Sequence, residues 1–277
     1  AASNERVRLE RNPPNLAALM EWAEVAVAAS GTTTWELLYM GVPSILLSTA
    51  DNQRIVAQSV SAAGAARDLG TYDAASAEKI MKAVESLVQS PSERAEMSQR
   101  GRALVDGQGV SRVVTEIKAV VISLRPAEAA DARLLWDWAN DRRVRSVSFD
   151  SAPIPWGGHI SWFEEKRSDP SCLFYIGLDP AGTPFGQIRF DVRGQEAEVS
   201  MSVDATFRGK GYGSALILAG SRKVLDEARV QRLHAYVKPG NEPSVRAFLK
   251  AGYREAGRET IRGHVALDYT LDRGGEG

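Results

Sequence analysis

A single cysteine, Cys172, stands in 277 residues, so no disulfide can form within the chain and a reducing compartment suits it. The thiol is expected to pack. Charge of one sign is also lacking: 34 Lys and Arg stand against 35 Asp and Glu, a net charge of -1. That balance gives no general attraction to nucleic acid or anionic lipid, so neither is expected as a partner. No apolar run approaches the ~18 residues of a membrane helix, and the N-terminus lacks the regions of a signal peptide. A soluble, cytoplasmic protein is the expectation. Of the 3 histidines, His234 and His264 fall in strand patterns without partners at ligand spacing, and no metal site is expected.

What the chain has is length and apolar material. At 277 residues and 44% apolar composition it exceeds one domain of ~100–200 residues and can bury sizeable cores. Two units are expected, divided near Ala119 as residues 1–119 and 120–277. The chain starts at Ala1 rather than Met, inside what reads as a domain, so a fragment of a longer chain is expected. Helical stretches from Pro91 to Leu104 and on to Lys118 close the first unit, and Val120 to Leu124 reads as the first strand of the second. There, helices are expected over residues 130–140 and 159–167, and strands around 173–178, 185–192 and 199–203. Helix 211–229, strand 232–237, helix 241–251 and two closing strands follow. Such alternation describes a mixed sheet covered by helices.

The most informative segment is Arg208-Gly-Lys-Gly-Tyr-Gly213, after an alternating strand and before a long helix. Glycines there let the backbone turn tightly and approach a ligand, and free amides at a helix start favour an anion such as a pyrophosphate. A second signature, Asn241 through Ser244 and Phe248 to Gly252-Tyr253, follows a strand. Asn241 and Ser244 begin a helix whose Val245, Phe248 and Leu249 form one apolar face, and Gly252 ends it. With R-x-x-G-x-G and N-x-x-S-x-x-x-F-x-K-x-G-Y in this order, the second unit resembles the GNAT superfamily of N-acetyltransferases. The resemblance implies a mixed α/β domain, acetyl-CoA as cofactor, and contacts from Met201, Ser202, Val203, Arg208, Gly209, Lys210, Gly211, Tyr212, Gly213, Asn241, Ser244 and Phe248. Met201 to Val203 would then lie nearest the thioester.

Catalysis of acetyl transfer needs a neutral amine held against the thioester, a donor for the developing oxyanion and a route for the proton. Glu198, or Glu196, at the start of the 199–203 strand is a candidate to take the amine proton through a water; a solvated carboxylate at a strand end is the alternative. Many relatives carry Tyr as acid for the leaving thiolate where this chain has Phe248. Tyr253 or Tyr212 is the substitute considered, beside departure without protonation.

The first unit has its own pattern. A short strand leads into Ser30-Gly-Thr-Thr-Thr-Trp-Glu36 and a helix ended by Gly41-Val-Pro43; a second strand is followed by Asp51-Asn-Gln53 and another helix. This resembles the C-terminal, Rossmann-like nucleotide-binding half of GT-B enzymes, and among them the UDP-sugar hydrolase of pseudaminic acid biosynthesis. Gly31 and Thr33 would face the diphosphate and Glu36 the ribose, with Gln53 as a further nucleotide-sugar contact; Thr32 to Thr34 and Glu36 capping the helix is the alternative. The preceding domain of such an enzyme is absent, so no hydrolysis is expected from this fragment. The second unit is similar to the N-acetyltransferase of that pathway, over Leu124-Arg-Pro126, Trp136 to Asp141, Val144-Arg145, His159 to Phe163 and Gly186 to Phe190. A UDP-linked 4-amino sugar is the implied acceptor, with Arg145, His159, Trp162, Phe163, Gln187 and Arg189 as substrate contacts; a protein N-terminus or other small amine as acceptor, or a non-catalytic CoA- or nucleotide-binding module, is the alternative. A homodimer is left open.

Overall fold

The computed structural model describes residues 7–227 and 230–274, in two compact units, Ala1–Gly109 and Val110–Gly277. In the first, α1 (Leu16–Trp22) precedes β1 (Ala26–Ala29), α2 (Thr33–Met40), β2 (Ser44–Ser48), α3 (Asp51–Ala62) and β3 (Arg67–Thr71). The strands form a parallel sheet in the order β1-β2-β3. Their β-α-β rhythm puts an apolar strand, β2, at the centre with every residue buried. Gly41 ends α2 in the left-handed conformation at φ +71, where its missing Cβ also leaves room for Arg102. Two further helices, α4 (Ala77–Gln89) and α5 (Pro91–Leu104), complete the unit.

The second unit opens with α6, the helix Gly109–Val121, and β4 (Ser123–Pro126). Val120 and Val121, expected in a strand, are instead the last residues of α6. The expected division at Ala119 falls in its last turn. A single turn at Ala129–Asp131 leads into α7 (Ala132–Ala139), then α8 (Arg142–Val147), α9 (Trp156–Ser168), β5 (Cys172–Leu178), β6 (Pro184–Arg193) and β7 (Glu196–Val203). α10 (Tyr212–Glu227), β8 (Arg232–Val237), α11 (Glu242–Lys250), β9 (Arg254–Ile261) and β10 (His264–Asp272) follow. The sequence pattern showed neither α8, a single polar turn and a half, nor the start of α9 at Trp156. The last two positions of the helix expected over 211–229 lie outside the described residues.

Seven strands make one sheet in the order β4-β5-β6-β7-β8-β10-β9. All neighbours are antiparallel except β7 and β8. Alternation gives the sheet two different faces. Odd-numbered β7 residues Ala197, Val199 and Val203 join Leu233, Ala235, Val237 and α10 in the main core. The even-numbered face turns toward α7 and α9, whose Leu135, Trp138 and Phe163 pack on Phe174 and Ile176 of β5. Cys172 belongs to that cluster at 8% exposure, and burial pushes its thiol up to about 11, in keeping with a packing role.

Candidate active site

The parallel pair β7 and β8 is joined only at Glu196↔Arg232, Ala197↔Leu233 and Glu198↔His234. Beyond Glu198, β7 stays paired with β6 as far as Val203, and β8 stays paired with β10 as far as Val237. The two strands therefore part, and each presents a free edge of backbone amides and carbonyls to a wedge between them. From Glu198 to Val203 the wedge is roughly 17 Å deep at ~3.3 Å per residue. An extended chain carrying amides can pair with such edges as an added strand.

Both signature motifs lie at its open end. After β7, Asp204 caps a short turn and Gly209 and Gly211 adopt φ +74 and +82, delivering the chain to the start of α10. Asn241 follows β8, and its Oδ1 accepts the Ser244 amide 3.4 Å away as the cap of α11. The cap reading of Asn241 and the stop at Gly252, φ +91, match the sequence expectation. Leu249 departs from it, being 49% exposed while Phe248 is 4% exposed.

Arg208 is an anchor for the loop. Its Nε donates to the Val203 carbonyl (2.9 Å) and its Nη1 to Asp141 at the head of α8 (2.8 Å). Burial pushes the Asp141 carboxyl up, but Arg208 and two backbone amides outweigh it and leave the group below the usual carboxylate range. Arg208 Nη2 is buried with no hydrogen-bond partner. Lys210 and Gly209 are exposed. Tyr212 packs its ring against Phe185 and Phe207 at 4.8 and 5.0 Å. One cation at the loop escaped the sequence analysis. Lys118 of α6 places Nζ 4.5 Å from the Tyr212 ring, and its Cδ and Cε come within 3.5 Å of where a Cβ on Gly211 would stand. Nothing local in the sequence ties a lysine before the first strand to a loop some ninety residues on.

Residues expected to touch the acceptor divide. Gln187, Arg189, Glu198 and Ser202 share the even face beside the wedge. Gln187 Nε2 donates to Ser202 Oγ at 3.4 Å, and its Oε1 is buried without a partner. Arg189 is stacked over Trp162 at 5.1 Å and paired with Asp191 at 2.9 Å, so its fork is already engaged. Arg145 donates to the carbonyls of Asp150 and Ala152 and to Ser148, stapling the loop after α8. Burial lowers its pKa. These bonds make it a structural post for that loop, while its Nε is buried without a hydrogen-bond partner.

His159 and Phe163 are corrected. Phe163 is fully buried, and His159, at 2% exposure, donates from Nε2 to the Ala132 carbonyl (3.0 Å) and stacks on Phe163. Burial lowers its pKa from 6.5, only partly opposed by that carbonyl. The unfolded chain therefore binds more protons than the fold below about pH 6.5, so stability held above that pH is lost as the pH falls through it. Melting of wild type should drop between about pH 7.5 and pH 5.5, with a shallower drop in His159→Gln; an identical slope in the variant would contradict this account.

Tyr253 is likewise a core residue. At 2% exposure its hydroxyl bonds Ser221 Oγ (2.8 Å) and its ring meets Phe248 edge-on, while burial pushes its pKa well up. With its hydroxyl held by Ser221 inside the core, the acid role considered for it gives way to packing. Among the described residues no group of three metal-ligating side chains occurs.

In the first unit, Gly31 and Thr33 follow β1, and Gln53 follows β2, at the carboxyl ends of parallel strands, the usual ligand end of such sheets. Gln53 accepts the Thr49 amide and hydroxyl at 3.0 Å each, and its Nε2 lies 3.6 Å from a Cβ built on Gly31. Thr32 makes no side-chain cap. Glu36 is exposed.

A wedge between parted parallel strands with an anion loop at its mouth defines an acyl-CoA-using transferase class. Residues fit that cofactor: free edge amides, a loop of positive-φ glycines, and buried unsatisfied atoms on Arg208 and Gln187. Residues 122–254 match the Acetyltransferase (GNAT) domain, and residues 7–109 the Glycosyltransferase family 28 C-terminal domain. A putative phosphinothricin acetyltransferase of Bacillus subtilis, YwnH, is 30% identical over 120 residues, 41% of this chain and 71% of that protein. The chain belongs to the GNAT acetyltransferase family, an enzyme family whose cofactor is acetyl-CoA, and carries a GT-B-like unit ahead of that domain.

The first unit is similar to the spore coat polysaccharide biosynthesis protein SpsG of Bacillus subtilis, 32% identical over 116 residues, 39% of this chain. It spans about a third, 34%, of SpsG's length. Among solved structures, spermidine N-acetyltransferase from Vibrio cholerae with CoA and spermine aligns at TM-score 0.51 and 16% identity, covering 56% of this chain and 96% of that one. An aminoglycoside acetyltransferase with paromomycin and acetyl-CoA aligns at 0.50 and 19%, covering 55% and 93%. These two likenesses are of fold. No helix among the described residues is long and apolar enough to cross a membrane.

Proposed function

We propose that the second unit transfers the acetyl group of acetyl-CoA to the amino group of a UDP-linked 4-amino-deoxy sugar, in biosynthesis of a pseudaminic-type nonulosonic acid. The observation carrying this reading is the pairing on one chain of an acetyltransferase fold with a unit of the glycosyltransferase family 28 type, whose relatives' names speak of polysaccharide and N-acetylglucosamine chemistry. Acetyl-CoA supplies an acetyl thioester; the residues supply its placement. The Arg208 to Gly213 loop, with Lys118, would hold the diphosphate end, the edges of β7 and β8 would align the pantetheine arm, and the even face of the sheet would admit the amine.

On that face a nucleotide would sit near the open end of the wedge. Lys238 donates to the Ser148 carbonyl (2.5 Å) and lies 5.9 Å from the Phe149 ring, itself 6.3 Å from His264. Two rings and a cation suit a uracil and its diphosphate. Gln187 and Trp162 with Arg189 border the sugar end. Gly31, Thr33, Glu36 and Gln53 remain the candidate nucleotide-sugar contacts of the first unit. A second reading, a small cationic amine as acceptor, draws on the carboxylates Glu196, Glu198 and Asp268 gathered at the wedge's vertex.

Remote binding energy from UDP should appear in turnover, because it holds the amine against the thioester. Steady-state kinetics with the 4-amino sugar and its UDP conjugate should give kcat/KM on the order of 100-fold higher for the conjugate. Equal use of both, or preference for spermidine, would reject the nucleotide-sugar assignment while leaving acetyl transfer intact.

A further inference from the structure

A histidine stands where β7 and β8 part. His234 is the last β8 residue paired with β7, opposite Glu198, and its ring bridges neighbouring strands. Nδ1 lies 3.1 Å from both carboxylate oxygens of Asp268 on β10, a side chain in a residue only 8% exposed. Nε2 lies on the β7 side, 3.7 Å from Glu196 Oε2, shielded and without a hydrogen bond. The Tyr236 ring stacks on the imidazole at 6.1 Å and 22°, fixing its plane. A buried polar atom left unpaired costs ~1–3 kcal/mol, and Nε2 belongs to the residue at which β7 and β8 part, so a group inserted between those strands would supply its partner.

The two ring nitrogens have different partners, which sets their roles. A carboxylate at Nδ1 holds the proton there, so the neutral ring presents its lone pair at Nε2. Groups facing the ring are Glu196 and Glu198 from β7, Asp268 and Asp272 from β10, and Arg232 and Tyr236 on its own strand. Arg232 is paired with Asp272 at 2.6 Å. Glu198 and Glu196, the two candidates the sequence offered as base, become carboxylates beside that ring.

We infer that His234 accepts the proton released in acetyl transfer and that Asp268 positions it, an inference resting on the reading of the unit as an amine acetyltransferase. As the amine nitrogen bonds the acetyl carbon, its proton passes to Nε2, and the electron pair of the breaking carbon–sulfur bond goes to sulfur. The imidazolium then returns that proton to sulfur, yielding an amide, a thiol and a neutral ring.

The full chain carries the test: the pH dependence of kcat at saturating acceptor, CoA affinity by calorimetry, and histidine ¹⁵N NMR. General-base catalysis contributes ~10²–10⁴-fold, so His234→Gln should lower kcat by roughly 100-fold or more near neutrality and abolish the acidic limb, with CoA affinity within about twofold of wild type. Asp268→Asn should lose less activity than His234→Gln, because the ring stays in place and only the group that fixes its tautomer is changed. NMR, which needs no acceptor, should show a neutral His234 with its proton on Nδ1. An unchanged limb in His234→Gln, loss of CoA binding in both variants, or a proton on Nε2 would each overturn the assignment. If wild type acetylates no amine offered, the acceptor reading fails, and the NMR result still decides for or against the His234–Asp268 pair.

Discussion

Gly211→Val should abolish measurable acetyl-CoA binding by the full chain while leaving it folded. Gly211 sits at φ +82, where a β-branched side chain is strained by ~1–3 kcal/mol, and the loop must change course to relieve it. That change takes the amides at the start of α10 away from the diphosphate. Charge-assisted hydrogen bonds are worth ~1.5–3 kcal/mol each, so losing even two should weaken affinity ~100-fold or more. The added branch would also meet the Lys118 stem, 3.5 Å from the Cβ position. Because Gly211 is exposed and outside the core, the fold should survive, with the strain lowering the melting temperature by only several degrees. CoA affinity by calorimetry equal to wild type would remove the diphosphate from this loop.

The loop was legible because its chemistry is local: strand, glycines and helix start lie within twenty residues, and the conformations of Gly209 and Gly211 are ones that glycine alone adopts freely. Asn241 was legible for the same reason, as a cap three residues ahead of the amide it receives. Properties set by distant partners were not. His159, Trp162 and Phe163 read as an aromatic surface with a titratable group, a pattern that a buried helix face produces equally well; only the packing of α7 and β5 over them decides. Tyr253 could not be told from a catalytic phenol without Ser221, 32 positions earlier. His234 was passed over because its partner Asp268 is 34 positions away on β10, joined by sheet register and not by any motif. The parting of β7 and β8 likewise has no local signature, since both strands keep their alternation on either side of it.

The stretch most open to misreading is α6, whose apolar residues gave no sign of which unit it serves. Val110, Val113, Ile117 and Val120 are all more than half exposed, while Thr115 is buried and Glu116 pairs with Arg222 of α10 at 2.7 Å. With Lys118 over Tyr212, the helix is tied to the Arg208–Gly213 loop though it precedes the matched family domain at residue 122. We therefore expect a chain beginning at Val110 to keep full acetyl-CoA affinity and turnover without the first unit. One beginning at Ile122 should fold less stably and bind CoA more weakly, because Thr115 and Ala119 leave the core and Lys118 leaves the loop. The charge alone is worth ~1 kcal/mol or somewhat more near a phosphate, so Lys118→Ala in the full chain should weaken CoA ~5- to 10-fold, and less so at high salt. Calorimetry on the three proteins separates the outcomes. If the chain from Ile122 matches the chain from Val110 in CoA affinity, α6 is a tether between units and no part of the site; if the chain from Val110 binds CoA yet turns over nothing while the full chain does, the first unit takes part in catalysis.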